Sequence, residues 1–156
     1  LHNIDALIIV TIIVTIMNAN QRFAISVHAL TLLASSSDPL TSEMIASSVD
    51  TNPVVIRRTM ASLREHGLVE SKSGAKGGWR LLREPKEIGL CEVYRSLDEV
   101  NVLAVHSHPN KHCPIGGNIS GVLRSVFEDA QSEMEKALGN YTVADILNDV
   151  RRKANQ

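Results

Sequence analysis

Residues 40–83, LTSEMIASSVDTNPVVIRRTMASLREHGLVESKSGAKGGWRLLR, decide how the chain is read. The first part predicts a short helix, capped by Thr41 or Ser42 and carrying Met44, Ile45 and Val49. Asp50-Thr51-Asn52 follows as a turn. Asn52 before Pro53 is a strong helix start, because a side-chain acceptor caps it and proline has no N–H to leave unsatisfied at the first helical position. The helix that begins there runs to about His66. Ile56, Met60 and Leu63 are spaced to face inward, and Gly67 is placed to stop it. The period then changes. Residues 68–71 and 79–82 predict two short strands around the basic, glycine-rich turn 74–78, which makes a β-hairpin.

Upstream, Phe23, Val27, Leu30 and Ala34 fall at helical spacing over residues 20–34, and the run 35–39 (SSSDP) ends that helix. Three short helices followed by a basic hairpin form a winged helix-turn-helix pattern. Downstream, a helix is predicted from 90 to about 99, then an irregular stretch over 101–117. A long amphipathic helix over 118–138 carries Ile119, Val122, Val126, Ala130, Met134 and Ala137 on one face, widened by Leu123 and Phe127. Thr142 caps a last helix that ends near Arg152. The expected fold is therefore mainly α with a small β-hairpin wing: a winged helix-turn-helix plus a long C-terminal dimerisation helix. The organisation expected is an apolar extension (1–17), a DNA-binding domain (18–86), a linking helix and sensor loop (87–117), and the dimerisation and C-terminal helices (118–156).

The apolar run 6–17 is shorter than the roughly 20 residues that a membrane-spanning helix needs. It also lacks the basic start of a signal peptide. Met17 stands just before the first helix, so residues 1–16 read as an addition from an upstream start, with an apolar arm for a partner as the other reading. Cys91 and Cys113 are the two cysteines of the 156-residue chain, too few for a disulfide framework, and they read as reduced thiols of a cytoplasmic protein. Formal net charge is −1, so attraction to nucleic acid depends on where the basic residues sit. Arg57, Arg58, Arg64, Lys72, Lys76, Arg80, Arg83 and Lys86 concentrate in one stretch, while 128–135 is acidic.

That arrangement suits the helix after Asn52 to a DNA major groove, with its N-terminal N–H groups toward phosphate and its outward side chains toward base edges. Arg57 and Arg58 project outward, with Val54 or Val55. Arginine reads guanine through a bidentate contact, and valine touches a thymine methyl. Thr41 and Ser42 are placed for phosphate, and Lys72, Ser73 and Lys76 at the hairpin tip for the backbone or the minor groove. Gly74, Gly77 and Gly78 permit close backbone approach. Double-stranded DNA is the expected partner. A winged module that docks a protein is the alternative. No Ser–His–Asp set, paired carboxylates or phosphate loop stands out, and the glycine turn is not followed by the helix that a nucleotide fingerprint requires, so the chain is not read as an enzyme.

The runs 40–46, 52–58, 63–69 and 74–78, continued by 88–95 and the long helix, resemble the Rrf-two family of bacterial repressors, the family of IscR, NsrR and CymR. Ala104-Val105-His106 and Cys113-Pro114-Ile115-Gly116 are similar to its YwnA-like branch. The resemblance implies homodimers that cross their long helices and bind near-palindromic operators. It puts the DNA contacts on Asn52, Val54, Arg57, Arg58, Ser71 and the hairpin tip. Several members hold an iron–sulfur cluster on three cysteines between the fourth helix and the long helix, whereas this chain has only Cys113 there, so no cluster is expected. His106, His108, His112 and Cys113 are types that can ligate a metal, but they read as a solvated loop, and no metal is expected. The expected signal is redox or a small molecule. Cys113 is the candidate redox-sensing thiol, because Lys111, His112 and a helix N-terminus all favour thiolate, with a structural Cys113 or a sensor site that uses no cysteine as the other readings.

Overall fold

A computed structural model describes residues 19–74, 77–97, 103, 105 and 107–156. The apolar extension 1–17, Lys76, His106 and the predicted end of the fourth helix at 98–99 lie outside the described residues. In chain order the elements are α1 (Ala19–Ser35), α2 (Ser42–Val49), α3 (Pro53–Glu65), β1 (Val69–Lys72), β2 (Gly78–Leu81), a 3-10 turn (Pro85–Glu87), α4 (Leu90–Arg95), α5 (Gly116–Leu138) and α6 (Val143–Ala154). No helix among the described residues is long and apolar enough to cross a membrane.

Local chemistry sets the boundaries of the central helices. Thr41 caps α2, its hydroxyl accepting from the Met44 N–H at 3.2 Å. Asp50 ends α2 in the left-handed region at φ 56°. Asn52 caps α3 by accepting from the Val54 N–H at 2.8 Å, with Pro53 next in the first turn. At the far end Gly67 sits at φ 69°. Its N–H reaches the Arg64 carbonyl at 3.0 Å and the Leu68 N–H reaches Leu63 at 3.0 Å, the paired bonds of a Schellman stop. The strand pair is antiparallel in the register Val69 to Leu81, Glu70 to Arg80, Ser71 to Trp79 and Lys72 to Gly78.

The core gathers α1, α2, α3 and the base of the hairpin, with Ile56, Met60 and Leu63 wholly buried. The buried face of α1 is displaced from the one the apolar spacing predicts. Ser26, Ala29, Leu30 and Leu33 are inside, while Phe23, Val27 and Ala34 are only partly covered. Ser26 and Thr31 tolerate burial because each hydroxyl donates to the carbonyl one turn back, Arg22 at 2.8 Å and Val27 at 2.7 Å. Helix α4 closes at Ser96, earlier than the period suggests, where the buried Ser62 hydroxyl of α3 donates to the Ser96 carbonyl at 2.6 Å.

The last two helices part company. α6 packs on α1 and sends Val143 into the central core, and the Val143 N–H bonds the Ile88 carbonyl at 3.0 Å. α5 begins at Gly116, two residues before the predicted start, and has no buried residue. It is tied back by the ion pair of Arg95 with Glu135 at 2.6 Å, by packing on α4 and by Leu138 against the core.

One backbone contact joins the hairpin to the helices. Leu40 and Trp79 exchange both main-chain hydrogen bonds, at 3.0 and 2.8 Å, just ahead of α2. Gly78 makes this possible: it sits at φ 151°, and a Cβ there would lie 2.7 Å from the Leu40 carbonyl carbon and oxygen. Gly78→Ala is expected to lower stability by about 1–3 kcal/mol, seen as an earlier urea midpoint at unchanged slope. A midpoint equal to that of the parent would show that the bridge does not constrain the wing.

Candidate nucleic-acid interface

The outer surface of α3 carries the residues that spacing singled out. Val54 is 44% exposed and Val55 only 8%, which settles which valine faces outward. Arg57 and Arg58, one turn further on, are both exposed but differ in their surroundings. The Nη2 of Arg57 donates to Oε1 of Glu43 on α2, whereas Arg58 has no ion pair among the described residues. Glu43 lies at the head of α2, and its carboxyl is held below the usual glutamate range. The first cause is a hydrogen bond to its own backbone N–H; Arg57 and the Thr41 hydroxyl add to it.

The helix starts offer less to an anion than the sequence suggested. Pro53 has no N–H, and that of Val54 is taken by Asn52, so the Asn52 side chain keeps only its amide N–H groups for a partner. The Thr41 hydroxyl is engaged in capping α2. Ser42, expected to face phosphate, is buried, and its hydroxyl accepts from the Trp79 indole N–H at 3.0 Å. Its side chain therefore fastens the wing to α2 and is turned away from solvent.

On the wing, Ser71, Lys72 and Ser73 are exposed side by side, and Lys76 lies outside the described residues. Gly77 and Gly78 serve the protein's own chain: a Cβ on Gly77 would meet the Lys72 carbonyl oxygen at 2.3 Å. Sequence reasoning passed over Glu43, Arg64 and Trp79. Arg64 stands seven residues after Arg57, hence on the same face of α3, and that spacing was the available signal. Its guanidinium lies 5.9 Å from the Trp79 ring centroid and 3.5 Å from the Ser71 hydroxyl, which joins α3 to the strands. Arg80 pairs across the hairpin with Glu70 at 2.6 Å. The surface is thus an exposed helix face and an exposed hairpin held in a set relation by Trp79, Ser42 and Arg64.

Known proteins share this arrangement. The Rrf2 family, described as iron-dependent transcriptional regulators, matches residues 19–149. YwnA of Bacillus subtilis (strain 168), named as an HTH-type transcriptional regulator, is 39% identical over 130 residues, covering 83% of this chain and 96% of that protein. A crystal structure described as that of a DNA-binding protein is 35% identical, with a TM-score of 0.65 over 81% of this chain and 98% of its own. The IscR of T. potens is 29% identical with a TM-score of 0.62, covering 83% of this chain and 85% of that one.

The family's description names iron. The chain has two cysteines, Cys91 half-buried on α4 and Cys113 exposed before α5, so a single chain does not offer three thiolates to a cluster. Among the described residues no three of His, Cys, Asp and Glu come together to hold a metal ion. With an exposed basic helix, a wing fastened beside it and a family match over nearly all the described length, the chain belongs to the Rrf2 family and is a DNA-binding transcriptional regulator of the winged-helix kind.

Proposed function

We propose that the protein is a cytoplasmic homodimeric repressor that reads its operator with α3 and steadies itself on the DNA backbone with the wing. The observation that carries this reading is the exposure of Val54, Arg57 and Arg58 on α3 and of Ser71, Lys72 and Ser73 on the wing, with Arg64 of α3 reaching Ser71 and Trp79. In this arrangement Arg57 donates to a guanine edge and Val54 packs on a thymine methyl. Arg58, the Asn52 amide, Lys72, Ser73 and Lys76 serve phosphate. Selection of bound sequences from random DNA yields the operator. Arg57→Ala is then expected to lose about 1–3 kcal/mol of discrimination at one base position. Lys72→Ala should weaken all sequences alike and reduce the salt slope by about 0.9. Binding without any preferred sequence would favour a protein-docking role for the winged fold.

Dimerisation is assigned to α5. Ile115, Val122 and Val126 leave an apolar stripe at 73%, 61% and 54% exposure, a face that needs a partner, and a second copy of the same stripe supplies one about a two-fold axis. Two recognition helices would then meet half-sites about one helical turn apart, ~34 Å. Val126→Glu together with Val122→Glu is expected to give a monomer in sedimentation and to lose operator affinity while non-specific binding persists. A dimeric double variant would move the interface elsewhere.

The signal is assigned to Cys113, which is exposed in the turn that enters α5. The backbone N–H groups of Gly116 and then Ile115 stabilise its thiolate and hold the thiol below its ordinary value, so the main chain, rather than Lys111 or His112, provides the activation. In a Cys91→Ser background, the pH midpoint of Cys113 alkylation is expected to lie below that of the unfolded chain. Peroxide is expected to lower operator affinity in the parent and to leave Cys113→Ser unaffected. Equal sensitivity of that variant would place the sensor elsewhere.

A further inference from the structure

We propose that Glu43 is a specificity-determining residue, which grips one edge of the Arg57 guanidinium and so turns Arg57 toward a base instead of a phosphate. This rests on the reading of α3 as the recognition helix. Two features of the structure separate Arg57 from its neighbour. Its Nη2 is held by Glu43 across the α2–α3 angle, while Arg58 carries no ion pair among the described residues. The gripping carboxylate stands in the first turn of α2, just after the Thr41 cap that fixes that turn, so its backbone position is set.

The chemistry favours discrimination over raw affinity. A free arginine has many rotamers and settles on the nearest phosphate, which carries no sequence information. Held at one N–H, it keeps four donors, enough for a bidentate contact with guanine, and loses less freedom when that contact forms. Glu43 also places a negative charge beside the DNA-facing surface. Non-specific binding meets that charge with nothing to offset it, whereas a correctly placed guanine rewards the orientation it imposes. Glu43 therefore acts through Arg57 as a positioning residue.

The test compares operator with scrambled DNA, over a salt series, for the parent, Glu43→Ala, Glu43→Gln, Arg57→Ala and Glu43→Ala/Arg57→Ala, each checked by its melting transition. The expected result is a fall of about fivefold or more in the operator-to-scrambled ratio for Glu43→Ala and Glu43→Gln. Scrambled DNA should bind Glu43→Ala more tightly, with a salt slope steeper by about 0.9 as Arg57 takes a phosphate. In the Arg57→Ala background the same change should leave the ratio unaltered. If Arg57→Ala loses discrimination while both Glu43 variants retain it, the positioning role is overturned and the recognition helix stands. An effect of Glu43→Ala that persists without Arg57 overturns it too. Retention of discrimination by Arg57→Ala overturns both readings.

Discussion

The set relation of the hairpin to the helices depends on how Trp79 is held. Its main chain is bonded to Leu40, its indole N–H to Ser42 and its ring face to Arg64, so one residue ties β2 to the lead-in of α2, to α2 itself and to α3. A two-stranded hairpin alone is marginally stable in water. Here its position relative to α3 is set by directional bonds, which a purely apolar contact could not supply. The cost appears in the sequence: Gly78 must remain without a side chain because the Leu40 backbone occupies the space. Gly77 and Gly78 are thus explained first by the protein's own packing, and Gly74 by its positive φ of 105°.

Beside that constraint, charge on α3 and the wing, the proposed reading face, is graded. Arg57 is tied to Glu43, Arg64 lies over Trp79, Arg80 is paired with Glu70, and Arg58, Lys72 and Ser73 are left toward solvent. Exposed ion pairs contribute little to folding stability. Their consequence lies in orientation, because each removes rotamer freedom from a long cation that would otherwise sweep the surface. A net charge of −1 is compatible with nucleic-acid binding for this reason: the field that matters is local to α3 and the wing.

The last two helices divide the remaining work. α6 returns to α1, and Val143 closes the core beside Ile88, so the C-terminus completes the DNA-binding unit. α5 leaves that unit with its apolar stripe uncovered and is tied back through Arg95 and Glu135. α4 in turn meets α3 through the buried bond of the Ser62 hydroxyl to the Ser96 carbonyl.

Sequence by itself determined the order of elements and the ends of the central helices, because these depend on short-range chemistry: Asn52-Pro53, Gly67, the cap at Thr142, and the 3.6-residue period of α3 and α5. It also marked Arg57, Arg58, Lys72 and Ser73 as outward-facing. It misplaced the buried face of α1, since Ser26 and Thr31 go inside by bonding their own helix, and a hydroxyl looks polar until that bond is seen. Only the tertiary structure decided that Ser42 turns inward to Trp79 and that Glu43 meets Arg57. Those contacts join residues 14 and 37 positions apart in the chain, where no local pattern reaches and packing alone selects the partner.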